Sequence, residues 1–211
     1  SDLVNTCSVR QTAENKAFGF MSNLKKQHPN IILGVTGCMV RQTGDRKSSK
    51  DKLFQHKILN FVFRIEDMAK LAKILEQQFP EHDLKKLPAH FGDGSLENYF
   101  KIAPKVQNNV QVFVPIMQGC DKFCTYCIVP YTRGREKSRK ILEIYEECKN
   151  LVKNGAKEIT LLGQNVNSYT DGESARGKRC FAKLLLKIDK LHELGLSRLR
   201  FTAPHPQDFT D

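Results

Sequence analysis

Residues 118–136, QGCDKFCTYCIVPYTRGRE, place three cysteines in one short loop. Cys120, Cys124 and Cys127 have the spacing C-x3-C-x2-C, which directs three thiols at one small volume, where they need a common electrophile such as a metal. A structural zinc site usually takes a fourth Cys or His at short spacing, and the nearest histidines in the sequence are remote from this loop. Iron–sulfur clusters take thiolates readily. The ligand count therefore favours a cluster, with zinc as the alternative.

The segments around this loop predict alternating strands and helices. Strands are predicted at about 110–117, 158–162 and 198–203, and helices at about 139–154 and 180–194. Ser138 can cap the first of these helices, which ends at Gly155. The order β-α-β-α-β predicts an α/β fold that forms the first half of a (β/α) barrel, with active-site loops at the carboxyl ends of the strands.

The N-terminal part shows the same alternation and predicts a separate α/β domain. A strand opens the chain, and further elements are predicted as a helix at about 11–27, strands at 31–36 and 58–63, and a helix that buries Met68, Leu71, Ile74 and Leu75. This order predicts a parallel, doubly wound sheet, which we interpret as a partial flavodoxin-like domain at residues 1–80. Residues 81–107 lack a sustained period and are predicted to be a linker, followed by the second domain at 108–211.

With Tyr126 before its third cysteine, the loop resembles that of the radical S-adenosylmethionine (SAM) enzymes. Together with LLGQNVNSY at 161–169 and RFTAPHPQDFTD at 200–211, it more narrowly resembles the tRNA methylthiotransferases. NTCSVR at 5–10 and GCM at 37–39 belong to the same resemblance, which covers most of the chain apart from roughly 40–110. The chain is thus identified from its sequence as a member of this family.

The resemblance implies a reaction and a set of cofactors. Cys120, Cys124 and Cys127 would hold a [4Fe–4S] cluster whose open iron binds SAM, and the loop Gly163-Gln164-Asn165 would contact that SAM. Cleavage of SAM would give a radical that abstracts hydrogen from C2 of an isopentenylated adenosine next to the anticodon. Sulfur would come from a second, auxiliary cluster and the methyl group from another SAM.

Cys7 and Cys38 each follow a predicted strand directly, and open parallel sheets bind ligands at the carboxyl ends of their strands. Taken alone, two lone cysteines are more often small buried side chains. The resemblance makes them two of the three ligands of the auxiliary cluster, with the third expected upstream of Ser1. The chain is expected to lack both termini of the intact enzyme, because it opens inside a strand and stops after the third barrel strand.

The net charge of +11 predicts a polyanionic partner. Cations cluster from the cysteine loop into the following helix, at Arg133, Arg135, Lys137 and Arg139. Cations in a first helical turn oppose the helix dipole, so an external anion would benefit from them. We interpret this cluster as a surface for the phosphates of tRNA, with a solvated charged segment as the alternative.

Two other residues receive structural interpretations. Cys148 falls on the apolar face of its helix, so it is predicted to be a core residue. His205 lies between two prolines beyond the third barrel strand, where an ordered loop position is favoured over a role in proton transfer.

The chain has seven cysteines, an odd number, and five of them lie in motifs unlike a disulfide framework. Together with the lack of a signal peptide and of an apolar run of membrane-spanning length, this predicts a cytoplasmic protein that does not enter membranes. The resemblance further implies an electron donor of flavodoxin or ferredoxin type and an intact enzyme that is monomeric. YTRGRE and GQNVNSY favour the isopentenyl branch over sister enzymes acting on threonylcarbamoyl adenosine or a ribosomal protein aspartate. A non-catalytic, metal-containing RNA-binding module is the alternative from another class.

Overall fold

The structure is a computed structural model that describes residues 2–6, 11–41, 43–45, 52–80, 110–172, 179–202 and 204–209. The chain divides into two compact units, residues 1–104 and 105–211. The predicted linker at 81–107 lies outside the described residues. Within the described ranges, no helix is both long and apolar enough to cross a membrane.

The first unit is a small α/β layer. In chain order its elements are β1 (Asp2–Thr6), α1 (Gln11–Gln27), β2 (Leu33–Gly37), β3 (Gly44–Asp45), β4 (Phe61–Val62), a 3₁₀ helix (Ile65–Lys70) and α2 (Leu71–Gln78). The sheet order is β1-β2-β4-β3, in which β1, β2 and β4 are parallel. Met21 of α1 is fully buried and packs into a core with Leu33 and Val35 of β2.

Two features of this sheet differ from the prediction. β3 pairs antiparallel with β4, so the sheet is mixed, as in many doubly wound sheets that carry an antiparallel edge strand. The strand predicted at 58–63 is only two residues long. On its N-terminal side the side-chain Oδ1 of Asn60, and not a backbone carbonyl, accepts from the N–H of Leu33 at 2.9 Å. Backbone hydrogen bonds to β2 still continue from the N–H groups of Asn60 and Phe63, each at 3.0 Å.

The second unit carries the cysteine loop. Its elements are β5 (Gln111–Pro115), β6 (Met117–Gln118), α3 (Val129–Arg133), β7 (Lys137–Ser138), α4 (Ile141–Lys153), β8 (Glu158–Leu162), α5 (Phe181–Asp189), a 3₁₀ helix (Lys190–Leu194) and β9 (Arg198–Phe201). β5, β8 and β9 form a parallel sheet in that order. This arrangement confirms the predicted β-α-β-α-β start of a barrel.

The core of the second unit lies between this sheet and helices α4 and α5. Ile159 and Leu161 of β8 are fully buried and pack with the apolar faces of the two helices. Cys148 of α4 belongs to this core and is fully buried, as its periodicity predicted. Burial raises the pKa of its thiol to about 12, with a further contribution from Glu147, so Cys148 stays protonated in the core.

The start of α4 corrects one prediction. Ser138 does not cap the helix, because it lies in β7 and its hydroxyl accepts from the N–H of Thr170 at 3.2 Å. The N–H of Ile141, the first residue of α4, instead donates to Asp171 Oδ1 at 2.7 Å. A carboxylate from 30 residues downstream thus satisfies a helix end whose neighbours in sequence leave it open.

Candidate metal and cofactor site at the cysteine loop

The two ends of the cysteine loop are held together at the top of β5. The strand predicted at 110–117 is interrupted at Ile116, after which β6 leaves the parallel sheet and pairs antiparallel with β7. Ile116 supports this bend on both sides, since its N–H donates to Leu162 and its carbonyl accepts from Arg139, each at 2.9 Å. The loop therefore projects from the carboxyl end of the first barrel strand.

Gly119 permits the close crossing at the base of the loop. Its φ is +78°, and a Cβ at this position would lie 2.1 Å from the carbonyl oxygen of Arg135. The N–H of the next residue, Cys120, donates to the carbonyl of Gly134 at 3.1 Å. A side chain at position 119 would separate the two ends of the loop, so glycine is required there.

The loop carries three free thiols, the type of ligand that an iron–sulfur cluster takes. Cys120 is buried, whereas Cys124 and Cys127 are half-buried and joined by a backbone hydrogen bond of 2.9 Å. Burial raises the pKa of Cys120. A backbone hydrogen bond from Lys122 lowers this pKa, but the nearby charges of Glu136, Cys127 and Cys124 raise it further. Mutual repulsion of this kind is relieved when thiolates bind a cation.

In the described parts of the chain, no three Cys, His, Asp or Glu side chains are already gathered closely enough to hold a metal ion. Cluster binding by the three loop cysteines therefore stays a prediction.

Asp208 joins the cysteine loop to the loop that follows β9. Its carboxylate is fully buried and lies 2.7 Å from Lys122 Nζ, 2.6 Å from an Arg179 guanidinium nitrogen and 2.5 Å from Asn165 Nδ2. Burial raises the pKa of Asp208, but the hydrogen bonds from Lys122 and Asn165 and the charges of Lys122 and Arg179 outweigh it and lower the pKa overall. Asp208 is thus an ionised hub that sequence reasoning missed, since only its place in RFTAPHPQDFTD could have pointed to it.

His205, interpreted from the sequence as an ordinary loop residue, is brought next to the cysteine loop. Its Nε2 lies 4.0 Å from Cys124 Sγ. Its backbone N–H donates to Asn165 Oδ1 at 3.1 Å. His205 is therefore remote from the cysteines in the sequence but close to Cys124 in the fold.

The loop predicted to contact SAM has a divided role. Gly163 lies so close to Met117 that a Cβ would be 2.7 Å from its side chain, so packing alone requires this glycine. Asn165 is buried, and its amide is occupied by Asp208 and His205. Gln164 is different, because its side-chain Oε1 is buried without a hydrogen-bond partner. A buried acceptor in need of a donor is suited to a ligand with an N–H group.

A cleft of about 680 Å³ opens beside the hub at Asp208. Charged groups of both signs and three hydroxyls line it, at Asp121, Lys122, Arg135, Glu136, Ser138, Ser168, Thr170, Arg179 and Asp208.

The predicted basic surface loses one of its members. Arg139 is buried, with one guanidinium nitrogen donating to the carbonyl of Pro115 at 2.8 Å and another 2.6 Å from Glu147. It braces α4 against β5 and cannot face an RNA, because its charge is already neutralised inside the fold. Lys137 is exposed, and Arg135 is largely exposed while pairing with Asp121 at 2.7 Å.

Of the two cysteines predicted in the first unit, Cys7 lies outside the described residues. Cys38 is buried and directly follows β2, and its N–H donates to the carbonyl of Thr6 at 3.0 Å. Because Thr6 and Gly37 are register partners at the ends of β1 and β2, the predicted position of Cys38 at the carboxyl edge of the sheet is confirmed. Its role as a cluster ligand stays a prediction.

Comparison with known families matches both parts of the chain. Residues 114–197 match the Radical SAM superfamily, and residues 2–58 match the Uncharacterized protein family UPF0004. The superfamily match covers the cysteine loop and the start of the barrel, and it implies SAM and an iron–sulfur cluster as cofactors.

Curated relatives extend the similarity to almost the whole chain. Each of three is a tRNA-2-methylthio-N(6)-dimethylallyladenosine synthase. The relative from Carboxydothermus hydrogenoformans is 45% identical over 99% of this chain and 46% of its own length. The relative from Clostridium botulinum is 42% identical over 99% of this chain and 44% of its own length. The relative from Bacillus cytotoxicus is 41% identical over 99% of this chain and 40% of its own length. The chain spans less than half the length of these relatives. The chain thus carries a Radical SAM domain and a UPF0004 domain, and it is similar over almost its whole length to these synthases.

Proposed function

We propose that this chain acts in a tRNA methylthiotransferase reaction that modifies C2 of N6-isopentenyl adenosine next to the anticodon. The observation that carries the proposal is the three-cysteine loop at the carboxyl end of the first of three parallel strands, inside a radical SAM domain. The names of its relatives support this choice of substrate.

Cys120, Cys124 and Cys127 would hold the cluster. When bound, the cluster supplies the electron that cleaves SAM, and the protein's task is to position the reactants and to exclude water. The pairing of β6 with β7 and the crossing at Gly119 hold together the two ends of the loop that carries the three thiols. Asp208, through Lys122, ties this loop to the loop after β9.

Gln164 is the residue of the loop 163–165 best suited to contact SAM directly. Its Oε1 is buried without a partner and can accept a hydrogen bond from the amino group of the cofactor. Gly163 and Asn165 support the loop, Gly163 by close packing against Met117 and Asn165 through its two side-chain hydrogen bonds. We therefore assign the direct contact to Gln164 and supporting roles to its neighbours.

A second cluster is proposed for the N-terminal domain, with Cys7 and Cys38 among its ligands, as the source of the sulfur.

The domain boundaries proposed are 1–80 for the N-terminal domain, 81–107 for the linker and 108–211 for the radical SAM domain. The cysteine usage, with no disulfide framework, supports a cytoplasmic enzyme. A flavodoxin- or ferredoxin-type protein is the proposed electron donor, and the intact enzyme is proposed to be monomeric.

The RNA substrate is proposed to meet the basic side chains beside the cysteine loop, at Arg133, Arg135 and Lys137. Arg133 ends α3, Arg135 lies in the turn that follows it, and Lys137 is the first residue of β7. The net charge of +11 supports a polyanionic partner at this surface.

Anaerobic reconstitution with iron and sulfide, followed by a SAM-cleavage assay, tests the proposal. Broad iron–sulfur absorption and 5′-deoxyadenosine formation are expected. Stoichiometric zinc without SAM cleavage would instead support the non-catalytic RNA-binding module. Mass spectrometry of tRNA nucleosides from a deletion strain then separates the isopentenyl branch from the threonylcarbamoyl and ribosomal-protein branches.

A further inference from the structure

His205 lies beside Cys124 although 81 residues separate the two in the sequence. The distance of 4.0 Å from Nε2 to Sγ is at the outer limit of a hydrogen bond to sulfur. The histidine could meet the cysteine in two ways, as a hydrogen-bond donor to the thiolate or as a fourth metal ligand. The position of the imidazole proton distinguishes them.

The surroundings of the imidazole fix that proton. The backbone N–H of Gln207 donates to His205 Nδ1 at 3.2 Å, so Nδ1 is an acceptor. A neutral imidazole has one donor and one acceptor nitrogen, which places the proton on Nε2, the nitrogen that faces Cys124. A metal-ligating Nε2 would need the proton on Nδ1, where the N–H of Gln207 opposes it. The geometry therefore favours a donor over a ligand.

The histidine is held in place from both sides. The backbone N–H of His205 donates to Oδ1 of Asn165, a side chain that is almost fully buried. Three residues further on, the buried carboxylate of Asp208 binds Lys122, which lies two residues before Cys124. The ring thus faces the cysteine loop through a short, anchored segment, which is the arrangement that a precise supporting contact requires.

We infer that His205 is a positioning residue that donates its Nε2–H to the Cys124 thiolate and thereby sets the reduction potential of the cluster bound there. This inference rests on the proposed function. Adding one electron to the cluster increases the negative charge on its thiolate ligands, so a hydrogen-bond donor stabilises the reduced form more than the oxidised form. The hydrogen bond therefore makes reduction by the external donor protein easier.

Redox titration of the anaerobically reconstituted full chain tests the inference. His205→Leu and His205→Met remove the donor while keeping bulk, and His205→Gln retains an N–H. At a given potential, the ratio of reduced to oxidised cluster is expected to be about tenfold lower in the donor-free variants. This corresponds to a reduction potential about 59 mV more negative for a one-electron couple. His205→Gln should recover part of this shift. His192→Leu, at an exposed histidine of the same unit, is the matched control and should show no shift.

A spectroscopic measurement on the unmutated chain gives an independent readout. Pulsed electron paramagnetic resonance of the reduced cluster in protein labelled with ¹⁵N-histidine should show a weak nitrogen coupling, transmitted through the hydrogen bond. A strong coupling, or loss of bound metal in both the Leu and Gln variants, would identify His205 as a ligand and overturn the donor role.

The outcomes separate this inference from the proposed function. Equal potentials in all variants, with the cluster intact, overturn the inference alone. Absence of an iron–sulfur cluster from the unmutated reconstituted chain overturns the proposed function and this inference together.

Discussion

Lys122 and Asp208 form an ion pair of 2.7 Å across 86 residues of sequence, and the aspartate side chain is fully buried. Lys122 lies inside the cysteine loop, between the first and second cysteines. The loop after the third barrel strand therefore holds the middle of the loop after the first strand. The position of the three thiols depends on a residue that lies outside their motif.

Replacing Asp208 by Asn should loosen the cysteine loop. The amide keeps the size of the side chain but removes the charge that Lys122 and Arg179 face, at a cost of about 1–3 kcal/mol in unfolding free energy. Hydrogen exchange of residues 119–128 should become faster than in the unmutated chain. Asp189→Asn, at an exposed aspartate of the same unit, is the control and should leave this exchange unchanged.

The Asp208 hub also predicts a pH dependence with a defined sign. Because the pKa of Asp208 is lowered in the folded state, its contribution is fully present above the ordinary aspartate pKa of about 3.9. It is lost as the pH falls from there through the lowered folded-state pKa. The stability difference between the unmutated chain and Asp208→Asn, measured by urea unfolding, should therefore be constant from pH 5 to 7 and shrink in stronger acid. A difference that grows on acidification would contradict an ionised Asp208.

The cysteines can be separated by role. Cys124→Ala should abolish the SAM-binding cluster, measured as lost iron–sulfur absorption and SAM cleavage after anaerobic reconstitution. Cys148→Ala removes a thiol from the buried core and should cost about 1 kcal/mol of stability while leaving SAM cleavage intact. Full cleavage activity in Cys124→Ala would remove the loop from the proposed chemistry.

Arg139 is predicted to stabilise the fold rather than to bind RNA. Arg139→Met leaves Glu147 and the carbonyl of Pro115 without their partner, and should lower the unfolding free energy by about 2 kcal/mol or more. Arg198→Ala breaks an ion pair with Glu158 in which the arginine is mostly exposed, and should cost less than about 1 kcal/mol. Urea denaturation of both variants makes the comparison. Equal losses would mean that burial does not set the importance of the Arg139 ion pair.

RNA binding should depend on Arg133 and Lys137. Changing both to Gln should reduce the slope of log affinity against log salt by about one unit per lost phosphate contact. A matched variant with Gln at Lys153 and Lys183, two exposed lysines on helices of the same unit, should keep the original slope. Filter binding of isopentenylated tRNA over a salt series gives both slopes. A reduced salt slope in the control variant, with an unchanged slope in the Arg133 and Lys137 variant, would place the RNA at helices α4 and α5 instead.

Local patterns in the sequence predicted the order of the elements and part of the core, although not every boundary. The apolar face of α4 predicted that Cys148 is buried, and three β-rich segments separated by helical ones predicted the parallel order β5-β8-β9. The spacing of the three cysteines pointed to their chemistry. Each of these signals depends on residues close together in the chain, where period and spacing directly reflect backbone geometry.

Only the tertiary structure decided which distant residues support the site. Asp171 caps α4 in place of Ser138, and Asp208 and His205 return to the cysteine loop. A sequence shows that a residue is charged, but not whether a partner from another loop will neutralise it. These partners meet because parallel strands end at the same edge of a sheet, which brings loops 80 residues apart into contact. The sequence by itself therefore determined the order of the elements and the thiol motif, and the convergence of loops at the sheet edge decided how that motif is held.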